Sequence, residues 1–230
     1  MDVRALLMGL AFAAMWASAF TSARIIVADA PPVTALAFRF LISGGIAVAL
    51  ARALGQSWRL TRTQARATVL FGLSQNALYL GLNFVAMQTV EASLAAIIAS
   101  TMPLLVALAL WLGRGERLPP LGVAGLVAGF TGVALIMGGR LQGGADPFGI
   151  ALCVVAVAAL TVATLSVRGA SSGGNVLMIV GLQMLVGSAL LFVPAALFET
   201  WTVAPSWRLA VAFAYTLFVV PYTALGYELT

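Results

Sequence analysis

One arginine lies inside an apolar stretch of the chain, where a charged side chain is costly. Arg39 stands about six residues into the apolar run 33–51. A charged group in hydrocarbon costs at least about 2.5–3.5 kcal/mol unless it reaches water or a partner, and no acidic residue inside an apolar run is an obvious partner. Arg39 could therefore bind a substrate carboxylate or act as a gate. Alternatively, its guanidinium reaches outward along its stem or bonds to carbonyl groups at a helix end.

A second group of polar residues lies in the apolar run 67–88. At about 100° per residue, four side chains fall within one narrow arc of a helix. These four are Gln75, Asn76, Tyr79 and Asn83. Lipid offers such groups no partners, so the arc must face a cavity or a neighbouring helix. We expect it to bind polar groups of a substrate; the alternative is hydrogen bonding between helices, worth about 0.6 kcal/mol per bond on average.

Three further positions complete the predicted substrate site. Trp16 shares one helix face with two phenylalanines at i, i+4, i+8 spacing, which could form the wall for an apolar group or serve only for packing. Gln183 aligns with Arg39 in the internal repeat considered below. Tyr222 shares a helix face with Tyr215. Gln183 and Tyr222 are the weakest candidates for the cavity.

Proline and glycine mark two positions that serve conformation and packing. Pro103 lies within an apolar run and frees the carbonyl of Ala99, so it bends the helix. The bend predicts a hinge, or a static kink satisfied by the hydroxyls of Ser100 and Thr101. Four glycines at spacings 3, 4 and 3 predict a flat face for close helix contact, inside the bundle or between subunits. They are Gly122, Gly125, Gly129 and Gly132.

Composition restricts the class of protein that must position these residues. The chain has 230 residues, of which 62% are apolar and 8% charged, and its mean hydropathy is +1.07. A soluble domain has about 45–50% apolar and about 25% charged residues. With no histidine and only Cys153 as cysteine, one chain cannot form a Ser-His-Asp triad, a Cys-His dyad or a His/Cys zinc site. We therefore expect no enzyme, no cofactor and no metal.

Eight runs are long and apolar enough to cross a bilayer core of about 30 Å as helices. They are approximately 5–23, 33–51, 67–88, 92–113, 120–138, 148–167, 176–198 and 208–227. Strands of a β-barrel are excluded because these runs are long and continuous. The predicted fold class is therefore all-α, a polytopic transmembrane helix bundle of about eight spans.

Arginine placement predicts the orientation. All twelve basic residues are arginine, and apart from Arg39 they lie scattered between the apolar runs or at their ends, which is not the concentrated basic face of a nucleic-acid-binding protein. With the N-terminus inside, eight arginines fall on the inner side and three on the outer side. We expect a multi-pass protein of the plasma (inner) membrane with a cytoplasmic N-terminus; a cleaved signal peptide over 5–23 is the alternative.

A weak internal repeat relates the two halves of the chain. With a shift of 144 residues, 39–44 lies over 183–188, and Ser22 and Arg24 lie over Ser166 and Arg168. The shift covers five spans, so the repeats enter the membrane from opposite sides, as in transporters whose site lies near the midplane. The prediction is a first repeat over 1–140, with spans 1–5, and a partial second repeat over 147–230, with spans 6–8.

Several motifs resemble those of one family. The run 91–118 with its Gly-Glu-Arg-Leu ending, the glycine-rich run 121–139, and the short motifs 16–20, 37–40 and 223–227 resemble EamA-type transporters of the drug/metabolite transporter superfamily. The resemblance extends over essentially the whole chain. It implies ten helices in two inverted five-helix repeats and export of small metabolites such as amino acids, with this chain truncated at its C-terminus.

These observations predict an inner-membrane exporter of small metabolites that works by alternating access. Its expected partners are a small-molecule substrate and the lipid bilayer, without nucleic acid. A homodimer or a partner chain could supply the two missing helices. The alternatives are a non-transporting membrane fragment or subunit that needs a partner chain, and a channel-like permeation path.

Overall fold

The computed structural model describes residues 3–167 and 173–219. Within these ranges the regular structure is entirely helical. Seven helices are long and apolar enough to cross a membrane, and a shorter apolar helix covers Trp207–Phe218. The predicted polytopic helical bundle is therefore confirmed. The second half of the predicted eighth span lies outside the described residues.

Five spans are continuous α-helices, and three are interrupted. The continuous ones are span 1, Val3–Asp29; span 2, Pro32–Ala53; span 5, Pro120–Gln142; span 6, Pro147–Ser166; and span 7, Val176–Phe198. Span 3 consists of two α-helical segments, Arg62–Phe71 and Gly81–Ala86, with the π-helical segment Gly72–Leu80 between them. Span 4 consists of two α-helical segments, Ala92–Ala99 and Met102–Arg114. Span 8 consists of the α-helical segment Trp207–Ala214 and the π-helical segment Tyr215–Val219.

Local sequence accounts for the helix ends, including two that the apolar runs misplaced. Span 3 begins at Arg62 because Thr61 and Gln64 form a capping box: the Thr61 hydroxyl accepts from the Gln64 amide at 3.2 Å, and the Gln64 side chain accepts from the Thr61 amide at 3.0 Å. Span 1 continues to Asp29 and stops before Pro31, because the helical conformation is disfavoured for a residue that precedes a proline.

Spans 2 and 7, which we call the central pair, share the most extensive contact between two spans. They cross at two glycines: a Cβ on Gly44 would lie 2.9 Å from the Gly181 carbonyl oxygen, and one on Gly181 would lie 2.9 Å from the Val48 amide nitrogen. Real Cβ atoms do not approach backbone so closely, so any side chain here forces the two helices apart. The two backbones therefore meet directly.

Within the described ranges, only spans 1, 3 and 8 make substantial contact with this pair. Span 3 packs against spans 6 and 7, span 1 against span 8, and span 4 against spans 1 and 6. Span 5 packs mainly against span 4, and Leu126 is its one buried residue. The polar residues of the predicted site are thus carried by the inner spans, whereas span 5 lies at the periphery.

Candidate functional site

Arg39 is buried between spans 2 and 8. It is 6% exposed, and its Nε donates to the carbonyl oxygen of Thr216 at 3.0 Å. One turn further, the Ser43 hydroxyl donates to the Leu217 carbonyl at 3.0 Å. Both acceptors lie in the π-helical segment Tyr215–Val219, and π-helical turns often occur at functional sites. Arg39 therefore bonds to a carbonyl of a neighbouring helix, which agrees with the carbonyl-bonding alternative, and its burial does not fit the outward-reaching one.

Asn76 joins span 3 to span 7. Its Nδ2 donates to the carbonyl oxygen of Gln183 at 2.8 Å. Gly187 makes room for it, since a Cβ there would lie 2.4 Å from the Asn76 Cβ. Asn76 thus forms the interhelical bond of the alternative interpretation. Gln183 is buried, at 7% exposed, and contributes its backbone to this contact.

Two amide oxygens on span 3 remain without a partner among the described residues. Asn83 is 2% exposed; its Nδ2 donates to the Tyr79 carbonyl at 2.8 Å, but its Oδ1 accepts nothing. The Oε1 of the half-buried Gln75 is likewise buried and unpartnered. Leaving a buried acceptor unsatisfied costs about 1–3 kcal/mol. These oxygens are therefore the best candidates in span 3 for receiving an N–H or O–H group of a ligand.

The expected single arc of span 3 is wrong. Asn76 faces span 7, whereas Tyr79 stacks on Trp16 of span 1, with ring centroids 6.5 Å apart and an interplanar angle of 17°. The spacing of 100° per residue holds for an α-helix, but Gly72–Leu80 is wound as a π-helix with more residues per turn. Two of the four polar residues, Asn76 and Tyr79, therefore face different neighbouring spans.

Aromatic rings of spans 1 and 3 meet next to Asn83, whose Nδ2 donates to the Tyr79 carbonyl. The Tyr79 ring is 1% exposed and Trp16 is half-buried. Two residues further along span 1, and on another face of that helix, the Ser18 and Tyr215 hydroxyls lie 2.6 Å apart. Trp16 stacks on Tyr79, and its role as the wall for an apolar group stays a prediction. Tyr222 lies outside the described residues.

The helix around Pro103 breaks one turn before the proline. Span 4 is interrupted at Ser100 and Thr101, whose hydroxyls donate to the carbonyls of Ile97 and Ile98, each at 2.7 Å. The helix is therefore interrupted near the predicted position. Its role as a hinge stays a prediction.

The glycine face of span 5 is only partly a packing face. A Cβ on Gly129 would lie 2.6 Å from the Leu104 Cδ1 of span 4, whereas Gly122 meets only its own preceding turn. Gly125 and Gly132 have nothing within 4 Å of such a Cβ. Inside the bundle, only one of the four glycines therefore makes a close contact between helices. The alternative, a face packed against another subunit, stays a prediction.

Contacts between the two halves recur under the 144-residue shift found in the sequence. The approach of Gly44 to the Gly181 carbonyl corresponds to that of Ser188 to Ala37, where the serine hydroxyl donates to the carbonyl at 2.9 Å. A second pair of contacts is related in the same way. Arg39 bonds to Thr216, and the corresponding residues Gln183 and Gly72 also meet, since a Cβ on Gly72 would lie 2.8 Å from the Gln183 carbonyl oxygen. The repeat boundaries 1–140 and 147–230 stay a prediction.

Sequence reasoning missed several residues that form these contacts. Ser188, Gly44 and Gly181 lie at the crossing of spans 2 and 7, and Ser43 bonds to the Leu217 carbonyl of span 8. The signal was present, because 39–44 and 183–188 are the segments that the repeat aligns. Within these segments, Gly44 meets the backbone of span 7 and Ser188 meets the backbone of span 2.

Comparison with known proteins identifies the family. A model of the EamA-like transporter family matches residues 3–138, more than half of the chain. Over 172 residues the chain is 26% identical to the uncharacterized transporter YvbV of Bacillus subtilis (strain 168), covering 75% of this chain and 56% of that relative. The chain thus spans little more than half the length of this relative. No solved structure matches. The chain belongs to the EamA-like transporter family of the drug/metabolite transporter superfamily, and it is a multi-pass membrane protein.

Proposed function

For this member of the EamA-like transporter family, we propose the export of small polar metabolites such as amino acids, by alternating access across the plasma (inner) membrane. The N-terminus is cytoplasmic in this proposal, since that orientation puts eight arginines on the inner side and three on the outer side. The direction of transport rests on the resemblance to exporters.

One observation carries the proposal: unpartnered hydrogen-bond acceptors inside a membrane-spanning helix. The Asn83 Oδ1 and Gln75 Oε1 accept nothing among the described residues, and Asn83 is bonded to Tyr79, which stacks on Trp16. Intramembrane polar groups are rare and usually mark a substrate path. An ammonium group could donate to one of these amide oxygens while the aromatic rings receive its charge or an apolar side chain.

Arg39 has a conditional role in this proposal. Its Nε is engaged by the Thr216 carbonyl, so it would receive a substrate carboxylate most fully once the π-helical segment of span 8 moves away. Asn76 and the Gln183 backbone hold span 3 on span 7 beside the site. Tyr222 continues span 8 in the sequence and remains a proposed member of the site.

Alternating access is supported by the relation between the two halves. Inverted repeats place a binding site near the midplane, and rocking of repeats or bundles exposes it to each side in turn. One pair of the contacts that recur under the 144-residue shift joins spans 2 and 7, between Gly44 and Gly181 and between Ser188 and Ala37. The break at Ser100 and Thr101 offers a further point of bending.

Counterflow in proteoliposomes tests the proposal. The purified protein is reconstituted with one unlabelled amino acid inside, and uptake of its radiolabelled form is measured across a panel of amino acids. We expect saturable counterflow for at least one of them. Asn83→Leu should reduce it at least tenfold, because leucine has similar volume but no acceptor.

A matched variant controls for the amide-to-leucine change. Gln142 is exposed at the end of span 5, so Gln142→Leu should transport like the wild type. Equal flux in Asn83→Leu and wild type would contradict the proposed site. Flux that rises linearly with concentration and lacks counterflow would instead indicate the channel-like alternative.

A further inference from the structure

We propose that spans 2 and 7 form one rigid unit, capped reciprocally at both ends, and that this unit keeps its packing while the other spans move around it. The inference rests on the proposed alternating access and goes beyond it. If spans 2 and 7 stay packed, the two repeats cannot move apart as whole bodies, because span 2 belongs to the first repeat and span 7 to the second.

At one end, span 7 caps span 2. Glu199 directly follows span 7; its Oε1 accepts from the Val33 amide at 2.9 Å, and its Oε2 accepts from the Thr34 amide and the Thr34 hydroxyl, each at 2.7 Å. The first amides of a helix have no partner within it. Pro31, at the N-cap position of span 2, has no side-chain acceptor to offer, so the carboxylate of span 7 supplies one.

At the opposite end, span 2 caps span 7. Gln56 lies three residues beyond the last residue of span 2, and its Oε1 accepts from the Met178 amide at 2.9 Å. Asn175, the N-cap residue of span 7, does not cap its own helix; its Oδ1 accepts from the Ser57 amide at 3.0 Å. The end of span 2 and the start of span 7 are therefore joined in both directions.

The two caps correspond to each other under the repeat. Thr34 and Met178 are the third residues of their helices and lie 144 residues apart, and each donates its amide to a side chain that follows the other helix. Together with the glycine crossing of Gly44 and Gly181, the pair is held at both ends and in the middle. A span of 22 residues is about 33 Å long, so these contacts resist sliding as well as separation.

Spans 1 and 8 form a smaller contact at the Glu199 end of the bundle. There the Ser206 hydroxyl donates to the Asp29 Oδ2 at 2.5 Å, and the Ala204 amide donates to the Asp29 carbonyl at 2.8 Å. Deeper in the bundle the two spans meet at Ser18 and Tyr215. Because this interface lacks a glycine crossing among the described residues, we expect it to part when the site opens to this side.

Two engineered cysteine pairs allow each of these two interfaces to be cross-linked separately. Thr34→Cys with Glu199→Cys joins spans 2 and 7; Asp29→Cys with Ser206→Cys joins spans 1 and 8. Both replace a hydroxyl–carboxylate pair at the same end of the bundle. Both are made in a Cys153→Ala background, which removes the chain's one native cysteine, and each is closed with a short bis-maleimide.

The inference predicts opposite effects of cross-linking on amino-acid counterflow. The pair across spans 2 and 7 should retain more than half of its uncross-linked flux, and the pair across spans 1 and 8 should lose at least tenfold. Loss of flux on closing the first pair, when its uncross-linked form is active, overturns the inference. Mass spectrometry measures the cross-linked fraction in each sample.

A distance measurement tests rigidity even where no substrate is transported or a cysteine pair fails to fold. Spin labels are attached to the exposed Leu50 and Leu190 on spans 2 and 7, and separately to the exposed Ala28 and Arg208 on spans 1 and 8. In lipid nanodiscs we expect one narrow distance population for the first pair and a broad or divided one for the second. Two populations for Leu50 and Leu190 overturn the rigid unit. A single distance population for Leu50 and Leu190, combined with no counterflow for any amino acid, would refute the transport proposal and leave the rigid unit standing.

Discussion

Glycine has different consequences in two regions of this bundle, the crossing of spans 2 and 7 and the stripe on span 5. At the crossing, Gly44 and Gly181 bring two backbones into direct contact. On span 5, four regularly spaced glycines produce one close contact, from Gly129 to Leu104, while Gly125 and Gly132 face open space. Glycine spacing therefore indicates where helices can approach; only the opposing helix determines where they do.

The largest expected effect comes from placing a side chain at the crossing. Gly44→Leu would bring a Cβ to 2.9 Å from the Gly181 carbonyl oxygen and 3.0 Å from the Met184 Cβ, so spans 2 and 7 must separate. Because backbone cannot yield as a flexible side chain does, we expect more than the usual about 1–3 kcal/mol of overpacking. Fluorescence-detected size-exclusion chromatography should find little folded protein in the membrane extract.

Gly125→Leu is the matched control for this substitution. Its Cβ meets nothing within 4 Å, so folded yield should equal that of the wild type. A loss of folded protein in Gly125→Leu as large as that in Gly44→Leu would remove the distinction between the two regions. It would also favour a second subunit packed against span 5.

An intermediate effect is expected at the one glycine of span 5 that packs. Gly129→Leu would meet the Leu104 Cδ1 at 2.6 Å, but this atom ends a flexible side chain that can change rotamer. We expect a melting temperature a few degrees below that of the wild type in detergent. A melting temperature unchanged from wild type would show that spans 4 and 5 separate freely, and a complete loss of folded protein would contradict the peripheral role of span 5.

A smaller effect is expected where span 3 docks on the central pair. Asn76→Leu removes the donor to the Gln183 carbonyl, and interhelical bonds in membranes contribute about 0.6 kcal/mol on average. We expect a slightly lower melting temperature and an unchanged KM for counterflow, in contrast to Asn83→Leu. A raised KM with unchanged stability would place Asn76 in the substrate site instead.

The smallest effect concerns a helix cap away from the central pair. The pKa of Asp146 is lowered, first by the hydrogen bond from the Thr89 hydroxyl and then by the amides of Gly149 and Phe148. A lowered pKa gives stability that is present above the ordinary carboxyl pKa of about 3.9 and is lost as the pH falls through the folded-state value. Melting temperatures should therefore decline in acid, below about pH 4.

Asp146→Asn isolates this contribution. The variant should be slightly less stable than the wild type at neutral pH and should show a shallower decline in acid, because its cap does not titrate. Identical acid profiles for the two proteins would mean that the Asp146 cap contributes nothing to stability. The comparison requires detergent conditions that are the same at every pH.

Apolar run lengths predicted most of the fold, because a membrane helix must satisfy its backbone internally over about 20 residues. Seven spans were located in this way. The early start of span 3 was missed because its capping box, Thr61 with Gln64, lies in a polar segment. The π-helical segments were missed as well, since apolar periodicity alone does not reveal where the backbone hydrogen bonds change from i+4 to i+5 spacing.

The candidate site was only partly predictable for a related reason. Residue type identified Arg39, Asn76 and Asn83 as costly inside a membrane, and each is buried in the bundle. Which of them is already satisfied depends on carbonyls of other spans, such as Thr216 and Gln183. Such tertiary partners are distant in sequence, and only the repeat alignment pointed towards them.

Counterflow by the reconstituted wild-type chain tests the central claim most directly. Proteoliposomes are loaded with unlabelled amino acid, and uptake of the radiolabelled form is followed over a range of external concentrations. The account predicts uptake that saturates, that is accelerated by the internal amino acid, and that is lost in Asn83→Leu but kept in Gln142→Leu. Uptake equal to that of protein-free liposomes for every amino acid tested, with correctly folded protein in the membrane, would contradict it.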